Sequence, residues 1–237
     1  MKRENTSARL LLFATPPHDC GYLQGEAATT VFADPRVSNN TSVYTMLSRY
    51  GFRRSGNHLY RPQCERCSAC VPVRVSVKSF RARRNQRRVW TKNRDLGVRS
   101  QDQSFTAEHF MLYRRYIRAR HRGGSMDNPS EEQYREFLPC EWGNTIFFEF
   151  RCQKRLVAVA VTDILNDGMS AVYTFFDPRL PKRSLGAYAI LWQIEEARRR
   201  DLDWLYLGYW IQGSPKMQYK GDYRPQQRLI DGRWRDY

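Results

Sequence analysis

The chain has no apolar stretch approaching the roughly 18–20 residues of a membrane span, no lipidation motif, no internal repeat and no low-complexity linker. Each absence removes a class: a helical membrane protein, a lipid-anchored one, a solenoid, a string of tethered modules. Acid is scarce as well. Twenty-four Asp and Glu face 40 Lys and Arg, a formal charge of +16 over 237 residues. Solubility asks for a charge of only about 2–8 in a small domain. The surplus therefore points to a polyanionic partner, nucleic acid ahead of a membrane surface. Disorder is excluded by 41% apolar and 14% aromatic content. The length suits one large domain or two smaller ones. Leu10-Leu11-Leu12-Phe13, preceded by Lys2 and Arg3, is too short for a secretory signal and is interrupted by Pro16-Pro17. It predicts an opening strand, in a cytoplasmic protein.

Six cysteines are present, four of them in the first 70 residues. Without a secretory route, a disulfide framework is not expected. Cys64, Cys67 and Cys70 stand at i, i+3 and i+6, and Cys20 could add a fourth thiolate. Four such ligands suit tetrahedral zinc or an iron–sulfur cluster. The alternative is four small residues packed in a loop-rich core, since the usual second CxxC is missing. Cys140 and Cys152 read as core residues.

Periodicity places the elements. A short helix over 41–50 carries Tyr44, Leu47 and Ser48 on one side and stops at Gly51. Val71, Val73, Val75 and Val77 alternate as in a half-buried strand. Phe110, Tyr113, Tyr116 and Ile117 mark a helix over 106–120. Ser130 opens another, with Gln133 completing a capping box. Strands follow over 145–150, 156–164 and 169–176, the last after the turn Asn166-Asp167-Gly168. A helix from Gly186 to Arg200 and a strand over 204–210 close the pattern. Three antiparallel strands, a helix opened by small residues, then another strand is the order of GNAT-type acyltransferases.

Two cationic features carry chemistry. From Arg74 to Arg99, both included, ten Lys or Arg accompany one acid, Asp95. Arg81, Arg83, Arg84, Arg87, Arg88, Lys92 and Arg94 suit a phosphate backbone, while Trp90 either stacks on a base or fills the core. The second feature is Pro181-Lys182-Arg183-Ser184-Leu185-Gly186. A helix N-terminus preceded by cations suits an anion, either a coenzyme pyrophosphate or the phosphates of a terminal CCA. Ordinary capping by Ser184 is the plainer reading.

Several stretches together resemble the bacterial aspartate/glutamate leucyltransferase family, relatives of the arginyl-tRNA–protein transferases. They are Cys20-Gly-Tyr-Leu23, Gly51-Phe-Arg-Arg-Ser-Gly56, Tyr60-Arg-Pro-Gln-Cys64, Cys67-Ser-Ala-Cys70-Val-Pro-Val-Arg-Val75, Tyr173-Thr-Phe-Phe-Asp-Pro178, Ser184-Leu-Gly-Ala-Tyr188, Leu207-Gly-Tyr-Trp210, Lys216-Met-Gln-Tyr-Lys220 and Tyr223-Arg-Pro225. The resemblance implies a mixed α+β protein. A loop-rich, cysteine-containing N-terminal domain would span 1–100 and a GNAT-like catalytic domain 101–237. It implies transfer of leucine from Leu-tRNA to acceptor proteins that start with Asp or Glu, marking them for degradation by the N-end rule pathway. One departure matters: where arginyl relatives carry cluster cysteines, this chain has Leu23 and Val71.

Aminoacyl-tRNA is an activated ester, so transfer itself needs no ATP and no cofactor. The enzyme must orient an amine whose pKa is about 7.7–8.0. Tyr209, Lys216, Tyr219 and Lys220 are the candidates to line that centre. Alternation in the last strand requires that one of Tyr206 and Tyr209 face the core. Reading the acceptor's side-chain carboxylate needs a cation, with Arg53, Arg54, Arg74 and Lys220 as candidates. Three rivals remain at this stage: an arginyl transferase of the same family, a coenzyme-A-dependent acetyltransferase, and a non-catalytic RNA-binding module.

Overall fold

The computed structural model describes residues 10–237 apart from Ser104 and Ser125; Lys2 and Arg3, which precede the first apolar run, lie outside them. That run ends in β1 (Leu12–Ala14), an edge strand whose Leu12 and Phe13 are exposed. A two-stranded ribbon, β2 (His18–Asp19) and β3 (Ala27–Ala28), follows, then β4 (Thr30–Ala33) and the single turn α1 (Pro35–Ser38). In α2 (Thr41–Arg49) the Asn40 side chain accepts from the Val43 N–H (2.8 Å). Tyr44, Leu47 and Ser48 are buried, as their spacing predicts. The chain leaves this helix through Gly51 at φ 83°, a left-handed conformation that glycine adopts without Cβ strain. The strands β5 (Arg53–Ser55) and β6 (His58–Pro62) complete a small antiparallel sheet in the order β1-β4-β6-β5.

Eight strands form the main sheet. In chain order, β7 (Val71–Ser76) leads to α3 (Arg84–Lys92), β8 (Leu96–Gln101), α4 (Ala107–Arg120) and α5 (Glu131–Phe137). Next come β9 (Thr145–Cys152), β10 (Arg155–Ile164), β11 (Gly168–Phe176), α6 (Leu185–Arg199) and β12 (Trp204–Trp210), and the hairpin β13 (Gln226–Ile230) and β14 (Arg233–Asp236). Their spatial order is β14-β13-β7-β12-β11-β10-β9-β8. Every neighbouring pair is antiparallel except β11 with β12, which α6 connects as a crossover. The order predicted for the second half is present, within a mixed α/β fold whose sheet also takes β7 from earlier in the chain. The capping box forms as read: the Ser130 N–H donates to Gln133 Oε1 (2.9 Å) and the Gln133 N–H to Ser130 Oγ (3.1 Å).

The sheet is covered on both faces, which explains the continuous burial of β10 from Leu156 to Asp163. On one face α6 and α3 pack over Val73, Val75, Phe150, Ala160, Leu205 and Leu207. On the other, α4 and α5 cover Phe147, Val159, Val161 and Phe175. Trp90 fills the first core, its ring 5.5 Å from Tyr188, so the core alternative holds for it. The small sheet and α2 close over Leu165 and Tyr206. A buried ionic joint ties them down. Arg54 Nε and Nη2 donate to Asp163 (2.7 and 2.8 Å), and Asp163 also accepts from the Tyr44 hydroxyl (2.9 Å).

Candidate active site

The one parallel pair of the main sheet opens into a fork. β11 and β12 are paired only from Gly168–Ser170 to Trp204–Tyr206. Beyond that point two irregularities drive them apart. The β10–β11 register slips past Val172, and the β12–β7 register slips between Tyr206 and Gly208. Splayed strands leave carbonyls without ladder partners, and Arg53 supplies them. Its Nη1 donates to Ser170 Oγ (2.9 Å) and the Tyr206 carbonyl (3.4 Å), its Nη2 to the Ala171 carbonyl. Among the described residues, each of these bonds ends on a neutral oxygen and none on a carboxylate.

A second cation lies beside it. Lys220 is 7% exposed, in the turn Gln218–Asp222 that follows β12. Its Nζ donates to the Tyr209 carbonyl (2.8 Å) and approaches Met217 Sδ (3.6 Å). Burial pulls its pKa down to about 7, and the nearby charge of Arg53 pulls the same way. Arg53 and a lysine that carries its proton below about pH 7 thus lie together without a bound carboxylate among the described residues.

The other expected site residues divide. Arg54 is fully buried, and its five N–H groups are taken by Asp163 and the carbonyls of Gly56, Pro139 and Leu138. It has nothing left for a ligand. Arg74 lies between the rings of Trp204 and Trp234 (3.7 and 4.2 Å to the centroids) and donates to Gln227 and the Tyr206 hydroxyl. Tyr209 contributes its carbonyl to Lys220, while its hydroxyl donates to the Gly51 carbonyl (2.9 Å). Lys216 and Tyr219 are exposed. Tyr206 and Tyr209 are both buried. Strict alternation would put them on opposite faces, but the bulge at Gly208 turns them to the same one.

The basic stretch is an exposed surface. Arg81, Arg83, Arg84, Arg87, Arg88, Lys92 and Arg94 all face solvent, on and around α3. Among the described residues none of them pairs with a carboxylate. Lys92 Nζ donates to the Lys182 carbonyl (2.9 Å) and Asn93 Nδ2 to the Arg183 carbonyl (2.8 Å), so the loop before α6 joins this surface. Lys182 is exposed there, whereas Arg183 is held by Asp95 (2.8 Å). Ser184 adopts φ 52° and its hydroxyl caps nothing.

Two features of the site went unread in the sequence. His121 Nε2 lies 3.4 Å from the Tyr173 hydroxyl, and burial, then the charges of Lys216 and Arg120, lower its pKa. Gly208 has φ 80°, and a Cβ there would meet Arg53 Nε at 3.0 Å and Cζ at 3.3 Å. Gly208→Ala is therefore expected to displace Arg53 and strain the backbone. Stability should fall by about 1–2 kcal/mol and kcat/KM by at least about tenfold, the counterpart of 1.4 kcal/mol. Denaturant unfolding and steady-state transfer measure the two effects.

Residues 18–88 match the family description "Arginine-tRNA-protein transferase, N terminus" and residues 108–230 match "Arginine-tRNA-protein transferase, C terminus". The chain belongs to the arginine-tRNA-protein transferase family. The aspartate/glutamate leucyltransferase of Hahella chejuensis is 52% identical over 95% of this chain and 96% of its own length. That of Teredinibacter turnerae is 53% identical over 96% and 94%. The structure of L-PGS from Bacillus licheniformis covers 74% of this chain and 52% of its own at TM-score 0.48 and 8% identity.

For this transferase the cysteine reading needs correction. The expected zinc or iron–sulfur centre at Cys20, Cys64, Cys67 and Cys70 is contradicted. Among the described residues no group of three or more His, Cys, Asp or Glu side chains could hold a metal ion. The thiols are free and have other partners: Cys20 Sγ accepts from the Tyr22 N–H (3.5 Å) and the Cys64 thiol donates to the Thr29 carbonyl (4.0 Å). Burial, helped by the neighbouring sulfurs, pushes the Cys70 thiol up to about 12. The segment Gln63–Cys70 has no regular secondary structure. The cysteines instead line a cavity of about 320 Å³ together with Tyr22 and Tyr209. No helix of the described residues is long and apolar enough to cross a membrane.

Proposed function

We propose that this aminoacyltransferase moves leucine from Leu-tRNA to the N-terminal amine of cytoplasmic proteins that begin with Asp or Glu, making an N-end rule degradation signal. The observation that carries the acceptor half is the uncompensated pair Arg53 and Lys220 beside the fork. A side-chain carboxylate supplies the missing charge, and Asp and Glu are the residues that bring one. Tyr209, whose carbonyl holds Lys220, also lines the cavity of the cysteines. The donor half follows from the exposed cations of α3 and Lys182, which suit the phosphates of the acceptor arm. Those phosphates lie on the loop before α6, so the CCA end reaches the fork between β11 and β12.

The chemistry balances without an external reagent. The neutral α-amine attacks the ester carbonyl, the C–O bond to the terminal ribose breaks, and a new C–N bond forms. The proton released by nitrogen ends on the departing ribose hydroxyl. Holding the two partners together is worth roughly 7–11 kcal/mol in favourable cases. Purified Leu-tRNA and Arg-tRNA offered with peptides starting with Asp, Glu, Arg or Ala test the proposal. Leucine should reach only the Asp and Glu peptides. Transfer of arginine, or no mass change on any peptide, defeats it.

A further inference from the structure

A second cationic cluster lies at the far end of the same loop and takes no part in the site above. Asp177, the first residue after β11, is completely buried. Three arginines from three elements converge on it. Arg179 Nε and Nη2 donate to its two oxygens (2.9 and 2.9 Å), and the Arg179 N–H adds a third bond (3.1 Å). Arg155, at the start of β10, donates through Nη2 to the same carboxylate. Arg115 on α4 places Nη1 at 3.6 Å from it.

The carboxylate stays ionised. Burial opposes its charge, but the bonds from Arg179 and Arg155 hold its pKa well below the usual range. The cluster therefore carries two positive charges in excess. Those charges are presented outward, because the side chains of Arg115, Arg155 and Arg179 are 40%, 54% and 59% exposed while the acid beneath them is not. A structural ion pair needs one arginine. Three on one carboxylate leave spare N–H groups fixed in place, which is the arrangement that receives a phosphate.

Position adds to this. Arg179 and Lys182 are three residues apart, at most about 11 Å of extended chain. Lys182 belongs to the α3 surface through Lys92. The loop thus joins cations on the α3 face of the sheet to cations on the α4 face, just before α6 begins.

We propose that Arg115, Arg155 and Arg179, mounted on Asp177, form a second phosphate-binding site for the RNA donor, so that the acceptor arm straddles the loop before α6. This rests on aminoacyl-tRNA being the donor.

The test uses Arg155→Gln, Arg115→Gln and their double variant, in each of which Arg179 still holds Asp177. KM for Leu-tRNA should rise about three- to tenfold per substitution, with kcat at saturating RNA unchanged. The slope of log KM against log salt should shrink by about 0.9 for each lost contact to duplex phosphate. Arg155→Lys should retain the wild-type salt slope because it keeps the charge. A merely structural role would lower the melting temperature without moving that slope. Unchanged KM and slope in the double variant overturn the proposal, and so does a KM change with the slope intact. Binding of uncharged leucine tRNA by the same proteins, followed by fluorescence anisotropy, separates the two readings. If the wild type transfers no leucine, the proposed activity fails. If it transfers but the variants bind RNA as the wild type does, only the second site fails.

Discussion

Lys220→Met should melt at a higher temperature than the wild type and transfer almost nothing to an acidic acceptor. The wild-type Nζ is nearly inaccessible, with one carbonyl partner, one sulfur and no bound carboxylate. Its pKa stands at about 7 in the folded protein against 10.5 ordinarily. The sign follows from linkage. Below about pH 7 the fold must hold a buried ammonium, so the cost is fully present there. It fades as pH rises towards 10.5, because over that window the unfolded chain binds the extra proton. Methionine removes the cost but leaves the Tyr209 carbonyl without its donor, a partial offset. The net gain should be on the order of 3 kcal/mol at pH 7, vanishing about one unit below pH 10.5, where the remaining cost of burial equals the lost hydrogen bond. The loss in kcat/KM for an Asp peptide should be on the order of 100-fold or more, as for one partner of a desolvated charge pair. Melting curves between pH 6 and 10, with transfer to Asp- and Asn-starting peptides, measure both effects. A destabilised variant, or one that still prefers Asp, would show that Lys220 is an ordinary structural residue.

The second large effect concerns folding alone. Asp163→Ala should destabilise the protein by about 3–5 kcal/mol, because it strands a charged guanidinium where no water reaches. Arg54 and Asp163 are 0% and 2% exposed, and the same carboxylate holds the Thr145 and Tyr44 hydroxyls (2.7 and 2.9 Å). A typical domain has only about 5–15 kcal/mol in total. Replacing both members of the pair by apolar residues should recover much of the loss, although the carbonyls of Gly56, Leu138 and Pro139 would still lack a donor. Urea unfolding of the single and double variants decides it. A cost under about 1 kcal/mol for Asp163→Ala would mean that water reaches the joint.

Elements with one clear period were readable from the sequence. The strands β9, β10 and β11, the helix α6 and the strand β12 announce themselves by apolar alternation and turn residues, and Ser130 with Gln133 marks the start of α5. By contrast, α3 hides inside its own charge, since Val89 and Trp90 are its only apolar side chains. The hairpin of β13 and β14 has no apolar alternation to reveal it. The site suffers more. Arg53 and Lys220 were legible as candidates, but the reason for them is a fork created by two register slips, and no residue pattern encodes a slip. Arg115, Arg155, Asp177 and Arg179 meet only in three dimensions. The cysteines show the reverse failure: regular spacing suggested a metal centre, but among the described residues they line a cavity and form no group that could hold an ion.

The strand β7 lies between β13 and β12 in the main sheet, although both of those neighbours come from the last third of the chain. A fragment containing only the second family segment would leave β12 with one edge bare, carrying Leu205 and Leu207 towards any sticky partner. It would also lack Arg53 and the fork would stand empty. Truncated versions should precipitate when expressed alone, whereas the two pieces made together in one cell could reassemble.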